Sequence, residues 1–258
     1  EETMYDLSDK CVLVTGASRG IGAAIARRMG EAGAYVVAHY GSDRNGVEQA
    51  VAGLPPSRIR LVGADFSELD SVEALWDEAV NWRGRVDVVV NNAAIMLFEG
   101  GFEESTEQWD EVWERTMRVN VLAAARLLRR AVLHFLAEGG GTIITLSSWA
   151  AQKGVTNPST IAYGASKAAV HNATQTIARA HAADGILAYI IAPGVVRTRL
   201  SESFAESMGG EEAINAGLAM GEWVPPDDIA QTAVFLASGV ARHLSGATLD
   251  INGASYVR

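Results

Sequence analysis

The sequence predicts an α/β protein: a doubly wound sheet of seven parallel strands flanked by helices on both faces. Three observations predict it. Short apolar runs alternate with longer helical ones along all 258 residues. Most of these runs are rich in Val, Ile and Leu with little polar alternation, as in strands buried on both faces. A glycine-rich turn follows the first run directly.

Taken in order, the strand candidates are residues 11–15, 35–40, 58–62, 86–90, 142–146, 187–191 and 247–251. Between the first two, Ile21, Ile25 and Met29 recur every four residues, an amphipathic helix stripe. Val72, Leu75, Trp76, Ala79 and Val80 follow a similar stripe after the third. Residues 119–136 and 162–182 are long helical stretches rich in alanine or leucine. Asp227 precedes a periodic run over 229–236, with two prolines just ahead, which marks a helix start. No repeat, low-complexity stretch or linker interrupts the pattern, so residues 1–258 read as one domain.

Composition narrows the function classes. Acidic residues number 31 against 21 basic ones, a net charge of −10, which disfavours nucleic acid and anionic membrane surfaces as partners. No apolar run approaches the roughly 20 residues of a membrane span. Glu1-Glu2-Thr3-Met4 lacks the basic-then-apolar pattern of a signal peptide, and a cytoplasmic protein is the simplest expectation. The one cysteine, Cys11, excludes an internal disulfide and reads as a small core residue. His39, His134, His171, His181 and His243 are scattered without zinc spacing, so no metal is expected.

The segment Cys11-Val-Leu-Val-Thr-Gly-Ala-Ser-Arg-Gly-Ile-Gly22 is a strand, a turn and a helix start. Gly16 permits a tight turn and Gly20 lets the backbone approach a pyrophosphate. Gly22 permits close helix–strand packing, and the helix N-terminus offers free N–H groups to phosphate. This makes the sheet Rossmann-type, and such sheets bind ligands beyond the carboxyl ends of their strands. An acidic residue closing the second strand would favour NAD. Here Tyr40 ends that strand, while Arg19, Ser42 and Arg44 could hold a 2′-phosphate and Asp43 could oppose one.

Several ordered motifs resemble the short-chain dehydrogenase/reductase family, almost from end to end. They are Thr15-Gly16 through Gly22, Asn91-Asn92-Ala93-Ala94, Asn120, the set Ser148, Tyr163 and Lys167, and Pro193-Gly194 with Thr198. Ala94 departs from the family's glycine, and its methyl group is a candidate obstacle to the cofactor ribose. The resemblance implies NADP(H), ahead of NAD(H), held by Gly16, Ser18, Arg19, Gly20, Ile21 and Gly22 of the turn. It adds Tyr40 and Ser42, Asp65 and Phe66 near the adenine, and Asn92, Ala93 and Ala94. Tyr163, Lys167, Pro193, Gly194, Val196 and Thr198 complete the set around the nicotinamide. On residues alone, Asp65 reads equally well as a helix cap.

Tyr163 and Lys167 are one helical turn apart and so share a face. A free phenol near pKa 10 is a poor base at neutral pH. The lysine ammonium is expected to lower that value, and oxidised nicotinamide adds a second positive charge. The resemblance makes Tyr163 the acid–base residue, Lys167 its partner, Ser148 the binder of the substrate oxygen with Ser147 as runner-up, and Asn120 the holder of a relay water. The implied reaction is hydride transfer between nicotinamide and a carbonyl or secondary alcohol, in a ketone or 3-oxoacyl reductase. An NAD-dependent alcohol or polyol dehydrogenase and a non-catalytic NADP-binding regulator are the alternatives.

Residues 199–224 read as a segment covering the substrate. Phe204, Met208, Leu218, Met220 and Trp223, with Met96, Leu97, Phe98 and Trp149, suggest an apolar lining, although many of these would equally suit core positions. The family's usual assembly implies a homotetramer, with a dimer as second choice, built on the helices at 119–136 and 162–182.

Overall fold

The structure is a computed structural model and describes residues 5–207 and 209–258. The strands are β1 (Cys11–Val14), β2 (Tyr35–Tyr40), β3 (Ile59–Gly63), β4 (Val88–Asn91), β5 (Gly141–Leu146), β6 (Ile186–Pro193) and β7 (Thr248–Ile251). They form one parallel sheet in the order β3-β2-β1-β4-β5-β6-β7. The chain winds outward from β1 to β3, then crosses back to continue from β4. That reversal opens a crevice at the carboxyl ends of β1 and β4.

Alternate strand residues serve opposite layers, as the pleat requires. Val12, Val14, Val36, Ala38, Val88, Val90 and Ile144 pack on one side of the sheet. There they meet α1 (Gly20–Glu31), α2 (Arg44–Ala50) and α10 (Pro226–Ala237). Cys11, Leu13, Val37, Val89 and Ile143 pack on the other side. Their partners come from α3 (Leu69–Arg83), α5 (Ala124–Glu138) and α7 (Ile161–His181). Cys11 is buried, and its thiol is pushed up to about 12 by burial and the Asp87 carboxylate, as for an inert core residue. Edge strands β3 and β7 are less buried than the central ones, as only one neighbour covers each.

Most expected elements stand within two residues of their anticipated ends. Pro226 is the first residue of α10, where its missing N–H costs nothing. One expectation changes. The stretch at 119–136 is not a plain helix. It continues from α4 (Thr106–Met117) through a π-helical segment, Arg118–Ala123, into α5. Helices α2, α4 and the short α6 (Ala150–Lys153) were not anticipated, whereas α8 (Arg199–Ser207) and α9 (Glu211–Asn215) are the helical stretches expected within the covering segment. No helix among the described residues is long and apolar enough to cross a membrane.

Packing of α1 against α10 is locked by a forked ion pair: Arg28 Nε donates to Asp227 Oδ1 and Nη2 to Oδ2, both at 2.7 Å. The Arg28 guanidinium holds the Asp227 carboxyl down at about 2. A depressed carboxylate stabilises the fold above its unfolded value near 4, and this contribution disappears as pH falls toward 2. With both groups about one-third exposed, the pair contributes about 1 kcal/mol. Asp227→Ala is therefore expected to lower the melting temperature by about 2–4 °C at pH 7. Scanning calorimetry at pH 7 and pH 2.5 checks this: the gap to the parent protein must shrink at the lower pH.

Candidate active site

The glycine turn after β1 is built from contacts that exclude side chains. Gly16 and Gly20 adopt φ of 68° and 58°, which glycine reaches without strain. A Cβ on Gly22 would lie 2.1 Å from the Gly16 carbonyl oxygen. Asn92 braces the turn from β4: its Nδ2 donates to the carbonyls of Thr15 at 2.8 Å and Gly16 at 3.2 Å. Thr15 Oγ1 accepts from the N–H groups of Asn92 and Ala93, both at 3.0 Å, and donates to Val90. Thr198 closes over the turn, its methyl carbon 3.0 Å from where a Cβ on Gly20 would sit. A cavity of about 570 Å³ opens alongside, lined by Gly20, Arg27, Thr198 and Arg199 among others.

A histidine that the sequence marks only as structural or solvated lies beneath this turn. His39, buried at 2 % exposure, accepts from the Gly16 N–H at Nδ1 (3.0 Å). Its Nε2 lies 2.9 Å from the Ala64 carbonyl, so the proton sits on Nε2. The ring stacks on Phe66 with centroids 4.4 Å apart. Burial drives its pKa down to about 4, keeping it neutral. The available signal was a histidine in an otherwise apolar strand, 3.0 Å from the turn in space and 23 residues away in sequence.

The other expected cofactor residues differ in how committed they are. The Arg19 side chain, at the start of α1, is exposed and has no hydrogen bond or ion pair among the described residues. Ser18 and Ile21 are half-buried around it, and Ser42 is exposed. Tyr40 leans against Gly63, and Arg44 pairs with Glu48 at 2.9 Å. Asp43 caps α2 by accepting from Gly46 N at 2.8 Å, so its carboxylate is directed into its own helix. Asp65 accepts from both the amide and the hydroxyl of Ser67, closing a turn ahead of α3; it is not the expected helix cap, since the N-cap of α3 is Glu68. The Phe66 side chain lies in the core against His39. Ala94 needs no glycine here: among the described residues only Ala254 has a positive φ outside glycine.

Tyr163 and Lys167 project from α7 toward the end of β5. The Lys167 ammonium donates to the Leu146 carbonyl at 2.8 Å and lies 5.7 Å from the Tyr163 ring centre. Lys167 is 6 % exposed, and burial lowers its pKa to about 8. The Tyr163 phenol moves the opposite way from the expectation. Burial raises it to about 12, and the hydrogen bond with Ser148 offsets only part of that rise. Desolvation penalises phenolate and ammonium alike, so it outweighs the attraction between them in the protein alone.

The two serines separate cleanly. Ser147 Oγ lies 3.3 Å from both the Lys167 carbonyl and His171 Nδ1, turned into the packing of α7. Ser148 instead meets Tyr163 and accepts from Ala150 N at 3.1 Å. Asn120 sits in the π segment. Its Oδ1 accepts from Ile95 N and its Nδ2 donates to Ile95 O, both at 2.8 Å, and Nδ2 also donates to Ser166 Oγ at 3.0 Å. Ser166 in turn donates to the Tyr163 carbonyl at 2.7 Å. Ile95 and Ser166 are therefore part of the arrangement, and no local motif marked them.

Gly194 follows β6. A Cβ there would lie 2.7 Å from Asn252 Cβ and 3.5 Å from the Trp149 ring. Val196 forms an isolated parallel bridge with Val224 while its side chain enters the core. Of the expected apolar lining, Trp223 is buried at 3 % with Arg197 over its ring, a core residue. Met220 is largely exposed and rests on Gly253. Phe204, Leu218, Met96, Leu97, Phe98 and Trp149 are half-buried, and Met208 lies outside the described residues. The cradle at Gly16, Gly20 and Gly22, the uncommitted Arg19 and the absence of a carboxylate at Tyr40 together fit a dinucleotide.

Comparison with known proteins places this arrangement among oxidoreductases. A family model described as enoyl-(acyl carrier protein) reductase matches residues 16–254. The 3beta-hydroxysteroid dehydrogenase 1 of Eggerthella lenta is 38 % identical over 255 residues, covering 97 % of this chain and 95 % of that protein. A structure from Beutenbergia cavernae, described as an NAD(P)-dependent gluconate 5-dehydrogenase with NADP at low occupancy, superposes with a TM-score of 0.86. It is 34 % identical, covering 97 % of this chain and 98 % of that one. A 3-ketoacyl-(acyl-carrier-protein) reductase from Brucella melitensis, complexed with NADH, also reaches 0.86 at 28 % identity, covering 98 % and 100 %.

Removing the acceptor under the turn is expected to cost stability. His39→Leu leaves the Gly16 N–H buried and unpaired, a loss of about 1–3 kcal/mol in urea unfolding. His39→Asn, whose Oδ1 can take the Nδ1 position, should recover part of it. A lowered histidine pKa stabilises the fold above the unfolded value of 6.5, and this is lost as pH falls toward 4. The variant-to-parent difference must therefore narrow between pH 6.5 and pH 4.

Proposed function

Because the chain belongs to the short-chain dehydrogenase/reductase family, whose relatives are oxidoreductases acting between CH–OH and C=O, we propose that it reduces a ketone or 3-oxoacyl group with NADP(H). The observation that carries this reading is the half-buried Tyr163 phenol, set beside Ser148 and one helical turn from buried Lys167. When bound, the nicotinamide supplies or accepts the hydride. The turn residues Gly16, Ser18, Arg19, Gly20, Ile21 and Gly22 hold its phosphates, with Tyr40 and Ser42 beside the 2′-phosphate. Asp65 and Phe66 serve the adenine end. Asn92, Ala93, Ala94, Pro193, Gly194, Val196 and Thr198 line the remainder.

Ser148 donates a hydrogen bond to the substrate oxygen and holds it at Tyr163. In reduction, the phenol gives its proton to that oxygen; its raised pKa keeps the proton in place until then. In oxidation, Tyr163 removes the alcohol proton, and the Lys167 ammonium stabilises the phenolate that results. Asn120 ties the β4 loop, through Ile95, to the helix carrying Tyr163, which supports its assignment to the proton relay toward Lys167. Arg19 without a partner supports NADP(H) over NAD(H). The segment over residues 199–224 covers the substrate. Leu122, Leu133 and Leu136 lie exposed around α5, which supports a homotetramer built on that helix and α7.

Tyr163→Phe is expected to bind NADPH yet lose at least about 100-fold in turnover; a variant with full activity would falsify the mechanism. Arg19→Ala should weaken NADPH binding about tenfold and leave NADH binding nearly as it was, as read by fluorescence titration. The reductive kcat should be level below about pH 8 and fall above it as Lys167 loses its proton. A profile level to pH 10 would remove Lys167 from the proton path.

A further inference from the structure

One buried histidine takes no part in the proton transfers at Tyr163, yet both of its ring nitrogens are bonded close by. His171 stands one turn after Lys167 on α7 and is 9 % exposed. Its Nδ1 lies 3.3 Å from Ser147 Oγ, just past β5, and its Nε2 lies 3.1 Å from Thr248 Oγ1 on β7. Ser147 Oγ donates to the Lys167 carbonyl at 3.3 Å. A hydroxyl has one proton to give, so the ring must supply the other: Nδ1–H donates to Ser147, and Nε2 accepts from the Thr248 hydroxyl. Each donor in the series then has an acceptor, from β7 through the ring to the backbone of Lys167.

Two adjacent residues at the end of β5 thereby hold Lys167 at both ends. Leu146 accepts from the ammonium at 2.8 Å, and Ser147 takes the backbone carbonyl. Lys167, His171 and Thr174 recur on one face of α7, and Thr174 Oγ1 donates to Thr145 Oγ1 at 2.8 Å. These contacts form a polar seam between α7 and the end of β5. Burial first, and the Arg258 guanidinium second, hold His171 below the usual histidine range, with the Asp250 carboxylate opposing them. The ring is therefore a neutral link. A lysine side chain is long and rotamer-rich, so its ammonium keeps one place beside a phenol only where both its head and its root are held.

We propose that His171 is a positioning residue: acting through Ser147, it fixes α7 on the end of β5 so that the Lys167 ammonium stays at the Leu146 carbonyl, beside Tyr163. This deepens the reductase reading and rests on it, since a positioned ammonium matters to the reaction only if Lys167 serves Tyr163.

The chain has three lysines, Lys10, Lys153 and Lys167, so each can be followed by NMR of protein labelled at lysine Cε. In the parent protein Lys167 should titrate near pH 8. His171→Leu should raise that midpoint by about one unit, because an ammonium free to leave its carbonyl regains water. The reductive kcat with NADPH and a ketone should fall about fivefold or more while KM stays within about twofold. His171→Gln, whose amide can both donate to Ser147 and accept from Thr248, should restore most of both quantities. A folded His171→Leu with the parent's midpoint overturns the clamp, whether or not kcat falls, since a packing defect lowers activity without rehydrating Lys167. If that variant does not fold, Thr248→Val breaks the series at its far end and is read by the same two measurements. If the parent reduces no ketone, yet the Lys167 midpoint moves in the variant, the reductase reading fails and the clamp stands. If ketones are reduced and the midpoint does not move, the clamp alone fails.

Discussion

The structure turns on the narrow approach between the turn after β1 and the loop after β4. The sheet reverses its winding there, and the reversal leaves a crevice that no helix crosses. For that crevice to accept a pyrophosphate, backbone must come against backbone. Gly22 stands against the Gly16 carbonyl, Asn92 bridges both, and Thr15 clamps the amides of the β4 loop. His39 supports the same turn from below, as a neutral acceptor sealed by Phe66. The turn is therefore held by four side chains from four strand ends. Its shape is set before any ligand arrives, which reduces the ordering cost of binding.

Burial governs the chemistry of the pair on α7. In the protein alone, desolvation moves both groups toward neutrality, the phenol up and the ammonium down. In the proposed reaction such a site would donate a proton, and would act as a base only when further positive charge enters it. One enclosure thus supports both directions of the proposed reaction, with the charge of the bound dinucleotide deciding which form of Tyr163 is favoured.

The π segment explains how a polar side chain can serve a helix and a loop together. An i→i+5 turn widens the helix and releases Asn120 from the regular ladder. Its amide then satisfies both backbone groups of Ile95 and reaches Ser166 on α7. Three elements are joined by one buried amide that uses both its N–H donors and one of its two oxygen lone pairs on protein. Such distortions survive where a network compensates for them.

Much of this was legible in the order of residues. Period and composition determined the strands and most helices, because a strand buried on both faces must be apolar throughout and a helix with one packed face must carry a stripe. Local spacing determined the glycine turn and the Tyr163–Lys167 face, because both are short-range geometry. What the tertiary structure alone decided was how those pieces are electrically and sterically surrounded. That Ser147 turns toward His171 while Ser148 faces Tyr163 depends on how the end of β5 meets α7. That Trp223 is core, that Asp43 caps its own helix, and that His39 lies under Gly16 all depend on contacts between residues far apart in sequence. The direction of the Tyr163 shift belongs to the same class, since desolvation is a property of the whole fold around a group and of no neighbour in the chain.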